Sequence, residues 1–375
     1  MSKIEPNPPA EAGTREPDRR VPVVWCLLGR KAGDNTQVRA LAEALGWPFT
    51  EKHIQARAWE LLPHLLLRVT LTGIDRDASS ELAGPWPDLV ISAGRRNEPV
   101  ARWIQRQSGG ATRLVHVGRP WAPLDCWDLV VTTPQYFLPD LPNIQHNRLP
   151  LYDSDNDALA AEAARWLSRF EALPRPWLAV LVGGDSGKFV FTAAKGHRLG
   201  EWAGGLAAQA GGSLVVVDSP RTPSSASAAL GQAIAVPHQH FRWGEGENPY
   251  RGLLALADGF VVTGESMSML AEAAATGKPV YVFDMGDGPV SWWRVGHSYR
   301  YKPLSHRLAM ALGPRRMRRD VGRIQSALIE SGQARWLTAD SRPAEVAEPD
   351  AAVGAVGDSE LAATAARVRR LVEPG

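Results

Sequence analysis

Short apolar runs alternate with amphipathic segments along most of the chain. Runs such as VPVVWCLL (21–28) and DLVIS (88–92) predict buried strands. The segment NTQVRALAEAL follows the first run and places Val38, Leu41 and Leu45 on one face of a helix. Strands that alternate with helices form parallel sheets covered by helices on both faces, so the pattern predicts an α/β fold.

The alternation starts again after a proline-bearing joint, LPRPW (173–177), and therefore predicts two Rossmann-like domains facing a cleft. Strands of the domain 21–172 are expected at 21–28, 49–54, 88–92, 113–117 and 128–132, and its helices at 58–69, 100–107, 158–170 and from an N-cap at Asp34 or Asn35. Strands of the domain 173–337 are expected at 177–182, 213–218, 259–263 and 279–283, and its helices at 196–210, after Pro223, at 250–257 and at 267–276. Residues 1–20 are expected to be a disordered leader, and 338–375 a mostly disordered tail with one short helix at 361–371.

Composition narrows the class of protein. The 42 Lys and Arg residues nearly balance 40 Asp and Glu residues, which does not favour a nucleic-acid binder. Two cysteines, Cys26 and Cys126, form neither a disulfide framework nor a metal-ligand pattern, so no metal site is predicted and a reducing cytoplasm is expected. No apolar run is long enough to span a membrane.

The stretch LVGGDSGKFVF (181–191) is similar to a phosphate-binding loop but does not satisfy the known patterns. A nucleoside-triphosphatase loop needs a glycine where Val182 stands and a hydroxyl where Phe189 stands. The three glycines also lack the spacing of a dinucleotide-binding loop. Two interpretations remain: backbone N–H groups facing an anion, or a tight turn after a buried strand.

Three loops at predicted strand ends of the first domain carry candidate groups for an anion or an acceptor. They are GRKAGDNTQ (29–37), SAGRRNEP (92–99) and HVGRPWAP (116–123). Glycines free the backbone there, and arginines can hold a carboxylate or phosphate in a forked geometry. The alternative is that each arginine is a solvated surface charge. The candidates are Gly33, Asn35, Gly94, Arg95, Arg96 and Arg119.

The segment TGESMSMLAEAAATGKPV (263–280) resembles the donor-binding region of glycosyltransferases of the GT-B fold. It has the same order of strand, glycine–serine turn, helix with a glutamate, G-x-P and strand. The resemblance implies that the helix N-terminus faces a nucleotide diphosphate and that Glu272 holds the ribose hydroxyls. The alternative for Glu272 is a solvated helix glutamate.

Five motifs in the same order resemble the plant mitochondrial-fission proteins of the elongated-mitochondria (ELM) type and their bacterial relatives, over about residues 21–335. They are GRKAGDNTQVRALAEALG, PDLVISAGRRNEPVARWI, LVGGDSGKF, DSPRTP and TGESMSMLAEAAATGKPV. The family is regarded as GT-B-like, and some relatives are labelled sugar epimerases. The fission role depends on a eukaryotic partner that nothing in this chain requires.

The resemblance implies metal-independent transfer from a nucleotide-diphosphate sugar, the substrate, to a cell-envelope glycan or lipid-linked acceptor, with no cofactor. Asp34 is the first candidate for the general base and His116 the second. Alternatives are a metal-free nucleotide-sugar epimerase and a non-enzymatic scaffold. The expected donor-side residues are Gly183, Gly184, Ser186, Lys188, Arg221, Thr222, Gly264, Glu265, Ser266, Met267 and Glu272.

The basic, aromatic stretch 291–324 leaves two interpretations open. It could lie on anionic lipid at the inner face of the cytoplasmic membrane, which suits a lipid-linked acceptor. Alternatively, Trp292 and Trp293 pack in a helix that crosses between the domains while the arginines are solvated. The protein is accordingly expected in the cytoplasm, either free or peripheral on that membrane.

Overall fold

Two six-stranded parallel sheets organise the chain in a computed structural model. The structure describes residues 20–60, 64, 66–152, 156–186, 189–286, 319–344 and 351–373, and the side chains of all of these except 156 and 351–358. Both sheets are parallel throughout, so the predicted α/β class with two Rossmann-like domains is confirmed.

The first sheet has the strand order β2-β1-β3-β4-β5-β6. Its strands are β1 (Val24–Leu28), β2 (Phe49–His53), β3 (Leu89–Ala93), β4 (Arg113–Val117), β5 (Leu129–Thr132) and β6 (Ile144–His146). Its helices are α1 (Ala32–Leu45) and α2 (Glu98–Gln107), with short 3-10 helices at Leu124–Cys126 and Pro134–Tyr136. Strands β1 and β3 are buried along their whole length, which is why they appear as uninterrupted apolar runs in the sequence.

The second sheet has the order β12-β11-β10-β7-β8-β9. Its strands are β7 (Trp177–Gly184), β8 (Ser213–Arg221), β9 (His238–Phe241), β10 (Gly259–Thr263), β11 (Val280–Phe283) and β12 (Arg335–Trp336). The remaining helices are α3 (Asn156–Phe170), α4 (Ala193–Gln209), α5 (Ser224–Ala233), α6 (Tyr250–Leu256), α7 (Met267–Ala275), α8 (Gly322–Glu330) and α9 (Ala351–Val372).

Each sheet has a point at which the strand order reverses. Strand β1 pairs with both β2 and β3, and β7 pairs with both β8 and β10. In open α/β sheets, the crevice outside the carboxyl ends of the strands at such a point is where ligands bind. Ligand-binding groups are therefore expected in the loops after β1, β3, β7 and β10.

Helix α9 corrects the expectation of a mostly disordered tail at 338–375. It has 22 residues and packs against α1 of the first domain, so the chain crosses back after completing the second. Three of its apolar residues join the core beside α1: Leu361, Ala365 and Val368. An alanine-rich composition hid this stripe at i, i+4 and i+7. The crossing helix predicted within 291–324 lies largely outside the described residues, as do the leader 1–19 and part of the helix predicted at 58–69.

The beginning of α1 also differs from the prediction. Lys31 is the N-cap residue, so Asp34 and Asn35 lie inside the first turn. The Asn35 amide instead exchanges hydrogen bonds with the backbone of Gly29, donating to its carbonyl at 2.8 Å and accepting from its N–H at 2.9 Å. This pair fixes the loop between β1 and α1. Strands β6, β9 and β12 were not predicted, because each is a short strand with little apolar signal.

Candidate functional site between the two domains

The N-termini of α1 and α7 approach one another across the two domains. The Ser268 hydroxyl oxygen lies 2.9 Å from the position that a Cβ on Gly33 would occupy. The first-turn N–H groups of a helix have no intrahelical acceptor and carry partial positive charge. Two such helix ends therefore converge on the same cleft. Nearby, Gln135 of the first domain accepts from Arg319 Nε and from the Asp320 N–H, both at 2.9 Å.

The glycine-rich end of β7, which leads into the loop at 185–186, packs tightly against the turn after β10. A Cβ on Gly183 would lie 2.0 Å from Oε1 of Glu265, and one on Gly184, whose φ is +104°, would lie 2.3 Å from the Arg221 carbonyl oxygen. Gly183 N–H also donates to Thr263 Oγ1 at 2.8 Å. Only glycine fits at these two positions, so the spacing of the motif reflects packing within the protein.

Glu265 is a buried carboxylic acid beneath this loop. Burial raises its pKa to about 7, and the positive charge of Arg221, whose Nη2 lies 3.5 Å from Oε1, opposes that shift. The Arg221 side chain is 34% exposed, and its Nη1 donates to the Asp185 carbonyl at 3.1 Å. Arg221 thus connects the buried acid to the solvent side of the loop, where an anion would lie.

Thr222 and Ser186 mainly bind other parts of the protein. Thr222 Oγ1 donates to the Val182 carbonyl at 3.2 Å and accepts from the Ser219 N–H at 3.0 Å, which joins the loops after β7 and β8. Ser186 and Phe189 exchange backbone hydrogen bonds at 3.1 and 2.9 Å, which supports the tight-turn interpretation for this part of the loop. Residue Lys188 lies outside the described residues.

The free N–H groups of α7 begin at Met267, two residues after Glu265, the first of the expected donor-side residues in this turn to follow Gly264. The Ser266 N–H donates to the Thr263 carbonyl at 3.2 Å, so the unpaired first-turn groups are those of Met267, Ser268 and Met269. The Met267 side chain is in the core. The Gly264 carbonyl accepts from the Gln325 side chain of α8, which holds the turn in place.

Glu272 has a protein partner that the sequence did not reveal. Its carboxylate accepts a hydrogen bond from the Tyr250 hydroxyl of α6. Burial, together with the adjacent negative charge of Glu272, raises the pKa of Tyr250 well above its usual value, so the phenol stays a donor. The bond fixes the orientation of Glu272, and its role towards a ribose stays a prediction.

On the first domain, the predicted acceptor-side residues come together around a cavity of about 150 Å³. Asp34 Oδ2 lies 3.4 Å from Lys31 Nζ and 2.9 Å from the position of a Cβ on Gly94. Five of the candidates line this cavity: Asp34, Asn35, Gly94, Arg95 and Arg96. Gly33 lies at the domain contact, and Arg119 lies over the ring of Tyr136, 5.5 Å from its centroid.

The two neighbouring arginines share one buried acid. Glu60 Oε1 accepts from Arg95 Nη2 at 2.6 Å and from Arg96 Nε at 2.8 Å. Burial alone would raise the pKa of Glu60, but the hydrogen bonds from Arg96 and Arg95 lower it overall. Both arginines are therefore oriented by the protein, in contrast to the alternative of solvated surface charges. Nothing in the sequence connects position 60 with positions 95 and 96.

The structure does not support His116 as the alternative base. The ring is fully buried, with Nδ1 3.1 Å from Ser92 Oγ and its centroid 4.6 Å from that of Trp127. Burial lowers its pKa to about 3. His116 is the penultimate residue of β4, and its side chain enters the core instead of the crevice. Asp34 is the candidate of the two that reaches a cavity.

Two Rossmann-like domains, a glycine-rich loop and two converging helix N-termini define an α/β protein of the GT-B class. The family described as Mitochondrial fission ELM1 matches residues 32–302, and the chain belongs to that family. The mitochondrial fission protein ELM1 of Arabidopsis thaliana is 28% identical over 240 residues, which cover 58% of this chain and 56% of the plant protein. Protein RP120 of Rickettsia prowazekii is 24% identical over 294 residues, which cover 69% of this chain and 82% of that protein.

Solved structures show more distant likenesses. The UDP-GlcNAc 2-epimerase of Neisseria meningitidis bound to UDP-GlcNAc is 14% identical, with a TM-score of 0.42 over 82% of this chain and 99% of the epimerase. The glycosyltransferase SnogD of Streptomyces nogalater is also 14% identical, with a TM-score of 0.42 over 94% of this chain and all of that one (100%). Likenesses this distant do not assign an activity.

Proposed function

We propose that the cleft binds a nucleotide-diphosphate sugar on the second domain and transfers the sugar to an acceptor on the first. The contact between Gly33 and Ser268 carries the proposal, because it joins two groups of residues. On one side are the α7 N-terminus and Arg221. On the other are the α1 N-terminus and the cavity lined by Asp34.

The donor side has groups suited to a leaving diphosphate. Negative charge develops on the diphosphate as the glycosidic bond breaks, and preorganised donors stabilise that charge. The N–H groups of Met267, Ser268 and Met269 and the guanidinium of Arg221 are proposed for this role. They would neutralise the charge without a metal ion.

The acceptor side has one candidate for the proton acceptor. If the reaction inverts the anomeric centre, Asp34 would accept the proton of the attacking hydroxyl. We propose a glycan or lipid-linked acceptor of the cell envelope, at the cytoplasmic face of the membrane. None of the described helices is long and apolar enough to span a membrane.

A thermal-shift panel of UDP, GDP, ADP, CMP and dTDP, with their common sugars, tests the donor site. A ligand that binds only the folded state at about 100 times its Kd adds about 2.7 kcal/mol to the free energy of unfolding. We expect one nucleotide to stabilise the wild type and Tyr250→Phe, but not Glu272→Gln. Tyr250→Phe is the control, because it removes the hydrogen bond that orients Glu272 and keeps the Glu272 carboxylate. No response to any nucleotide would overturn the proposal and favour a scaffold.

Asp34→Asn tests whether the site is catalytic. The variant should keep the nucleotide-induced shift and lose transfer, measured as release of the nucleotide diphosphate, by about 10²–10⁴-fold. Full transfer by Asp34→Asn would exclude Asp34 as the base. If the wild type binds a nucleotide but transfers sugar to none of the cell-envelope acceptors tested, a non-enzymatic scaffold is the better description.

A further inference from the structure

The first domain has a second cavity, of about 320 Å³, beside the one that contains Asp34. Its walls come from the loop after β3, the first turns of α2, the loop after β4 and the chain around residues 64–68. Arg95 lines both cavities, so the two are adjacent. A ligand in the second cavity would therefore lie next to the proposed site of reaction.

This cavity has an excess of positive charge. Arg68 and Arg102 line it, and neither has an ion-pair partner in the part of the chain that the structure describes. Arg95 uses Nη2 to hold Glu60, whereas its Nη1 is buried and has no hydrogen-bond partner among the described residues. Burial lowers the pKa of His64, which favours the neutral imidazole.

Among the described residues, Glu98 is the acid that lines the cavity, and the protein holds it in place. Both oxygens of Glu98 accept from the Trp121 N–H, at 2.9 and 3.0 Å, and Oε2 also accepts from the Ala122 N–H at 2.8 Å. Burial raises the pKa of Glu98 to about 7. Glu98 thus fixes the loop after β4 and compensates the arginines only in part.

Apolar side chains lie beside the arginines. Leu66 and Leu67 are 76% and 56% exposed and lie in the chain between two cavity residues, His64 and Arg68. Trp121 forms part of the wall, with its ring 5.1 Å from the Arg95 guanidinium. Exposed leucines next to an arginine-lined cavity are complementary to a ligand with a charged end and an apolar end.

We propose that this cavity binds the phosphate group of an amphiphilic acceptor, with the phosphate on Arg68, Arg95 and Arg102 and the apolar part along Leu66 and Leu67. The inference rests on the proposed transfer function. A phosphate monoester carries up to two negative charges and three acceptor oxygens, which match the guanidinium groups of Arg68, Arg95 and Arg102 better than a single carboxylate does.

Calorimetric titration of the full chain with inorganic phosphate, with sodium acetate at equal ionic strength as the control anion, tests the phosphate site. Loss of one charged hydrogen-bond donor should weaken binding by about tenfold or more. We expect this for Arg102→Ala and Arg68→Ala. Arg106→Ala, which removes an exposed arginine of the same helix, should stay near the wild type. Arg68 is exposed, so its variant stays informative if Arg102→Ala unfolds.

Arg221→Ala separates the two sites. Phosphate binding that survives Arg221→Ala and falls with Arg102→Ala assigns the anion to the cavity. Binding that falls only with Arg221→Ala, or is equal for phosphate and acetate, overturns the inference. The nucleotide-induced thermal shift of the same variants distinguishes failure of this inference from failure of the proposed function. Phosphate binding that depends on Arg102, without any response to nucleotides, would reject the transfer function and still support phosphate binding in the cavity.

Vesicle flotation distinguishes a lipid headgroup from a free phosphate compound. A lipid-linked ligand predicts flotation with phosphatidylcholine vesicles that contain phosphatidate, and none with phosphatidylcholine alone. Leu66→Ser/Leu67→Ser should reduce this flotation and leave the phosphate titration unchanged. Phosphate binding that depends on Arg102, without flotation, would support the phosphate site and overturn the proposed binding of an apolar group along Leu66 and Leu67. Flotation that is insensitive to both arginine variants would contradict the proposed orientation.

Discussion

Gly183 lies directly against the buried carboxylate of Glu265, with no room for a side chain between them. The Cβ position of Gly183 is 2.0 Å from Glu265 Oε1 and 2.9 Å from Arg221 Nη2. The ends of β7 and β8 and the turn after β10 therefore pack around one point under the proposed diphosphate. Gly183 and Gly184 of the GGDSGKF stretch serve this packing, which explains why they do not follow a nucleotide-triphosphatase spacing.

Gly183→Ala should damage the second domain and its ligand site together. Forcing a methyl group into this space should lower the free energy of unfolding by about 1–3 kcal/mol, measured by urea denaturation. It should also abolish the nucleotide-induced thermal shift. Gly205→Ala is the matched control, because that position lies inside α4 with nothing near its Cβ and should gain up to about 1 kcal/mol. Equal effects of both substitutions would contradict the packing described.

Glu265 should make stability depend on pH. Its pKa is raised from 4.5 to about 7 in the folded state, so the folded protein holds an extra proton between these values. The favourable contribution of Glu265 to the free energy of unfolding is fully present below pH 4.5 and is lost as the pH rises through 7. Relative to Glu265→Gln, the free energy of unfolding of the wild type should fall by up to about 3 kcal/mol between pH 5 and pH 8, measured by urea denaturation at each pH.

The difference between the wild type and Glu265→Gln isolates this group from two others. The pKa of Glu98 is also raised to about 7 and contributes in the same direction. The pKa of His116 is lowered to about 3, so its contribution increases with pH up to 6.5. Both are present in wild type and variant alike. A difference that does not vary with pH would show that Glu265 is not buried as an acid.

The sequence was sufficient for the architecture because the signals were local. Uninterrupted apolar runs marked β1 and β3, which are buried on both faces. The edge strands β6 and β12 have three and two residues and carry too little pattern to recognise. The sequence predicted only a short helix in place of α9, because its apolar face consists of small residues that are recognisable as a core face only when packed against α1.

The site was only partly predictable, because its partners are distant in the chain. The rule that loops at the carboxyl ends of parallel strands lie close together correctly predicted that Asp34, Gly94 and Arg95 are neighbours, and they line one cavity. The same rule failed for His116, since the register of a strand residue decides whether its side chain enters the crevice or the core. Glu60, which orients two arginines, gave no signal of its own.

His116→Asn should separate structural from catalytic roles. A buried imidazole that contacts Ser92 contributes to stability, so the free energy of unfolding of the variant should be about 1–3 kcal/mol lower than that of the wild type. The nucleotide-induced shift and the transfer rate per folded molecule should stay at the wild-type level, in contrast to Asp34→Asn. A large loss of transfer rate with an unchanged melting temperature would restore His116 as a catalytic candidate.

Arg369→Ala tests whether α9 supports the helix that carries Asp34. The Arg369 guanidinium donates to the last carbonyls of α1, at 2.6 Å to Ala44 and 2.9 Å to Leu45. These carbonyls have no intrahelical donor and carry partial negative charge, so removing the cation should cost about 1–2 kcal/mol. Arg370→Ala is the matched control, because Arg370 is exposed and should change stability by less than about 0.5 kcal/mol. Amide hydrogen exchange should then become faster in α1 for Arg369→Ala alone, and equal exchange in both variants would mean that α9 does not stabilise the helix that carries Asp34.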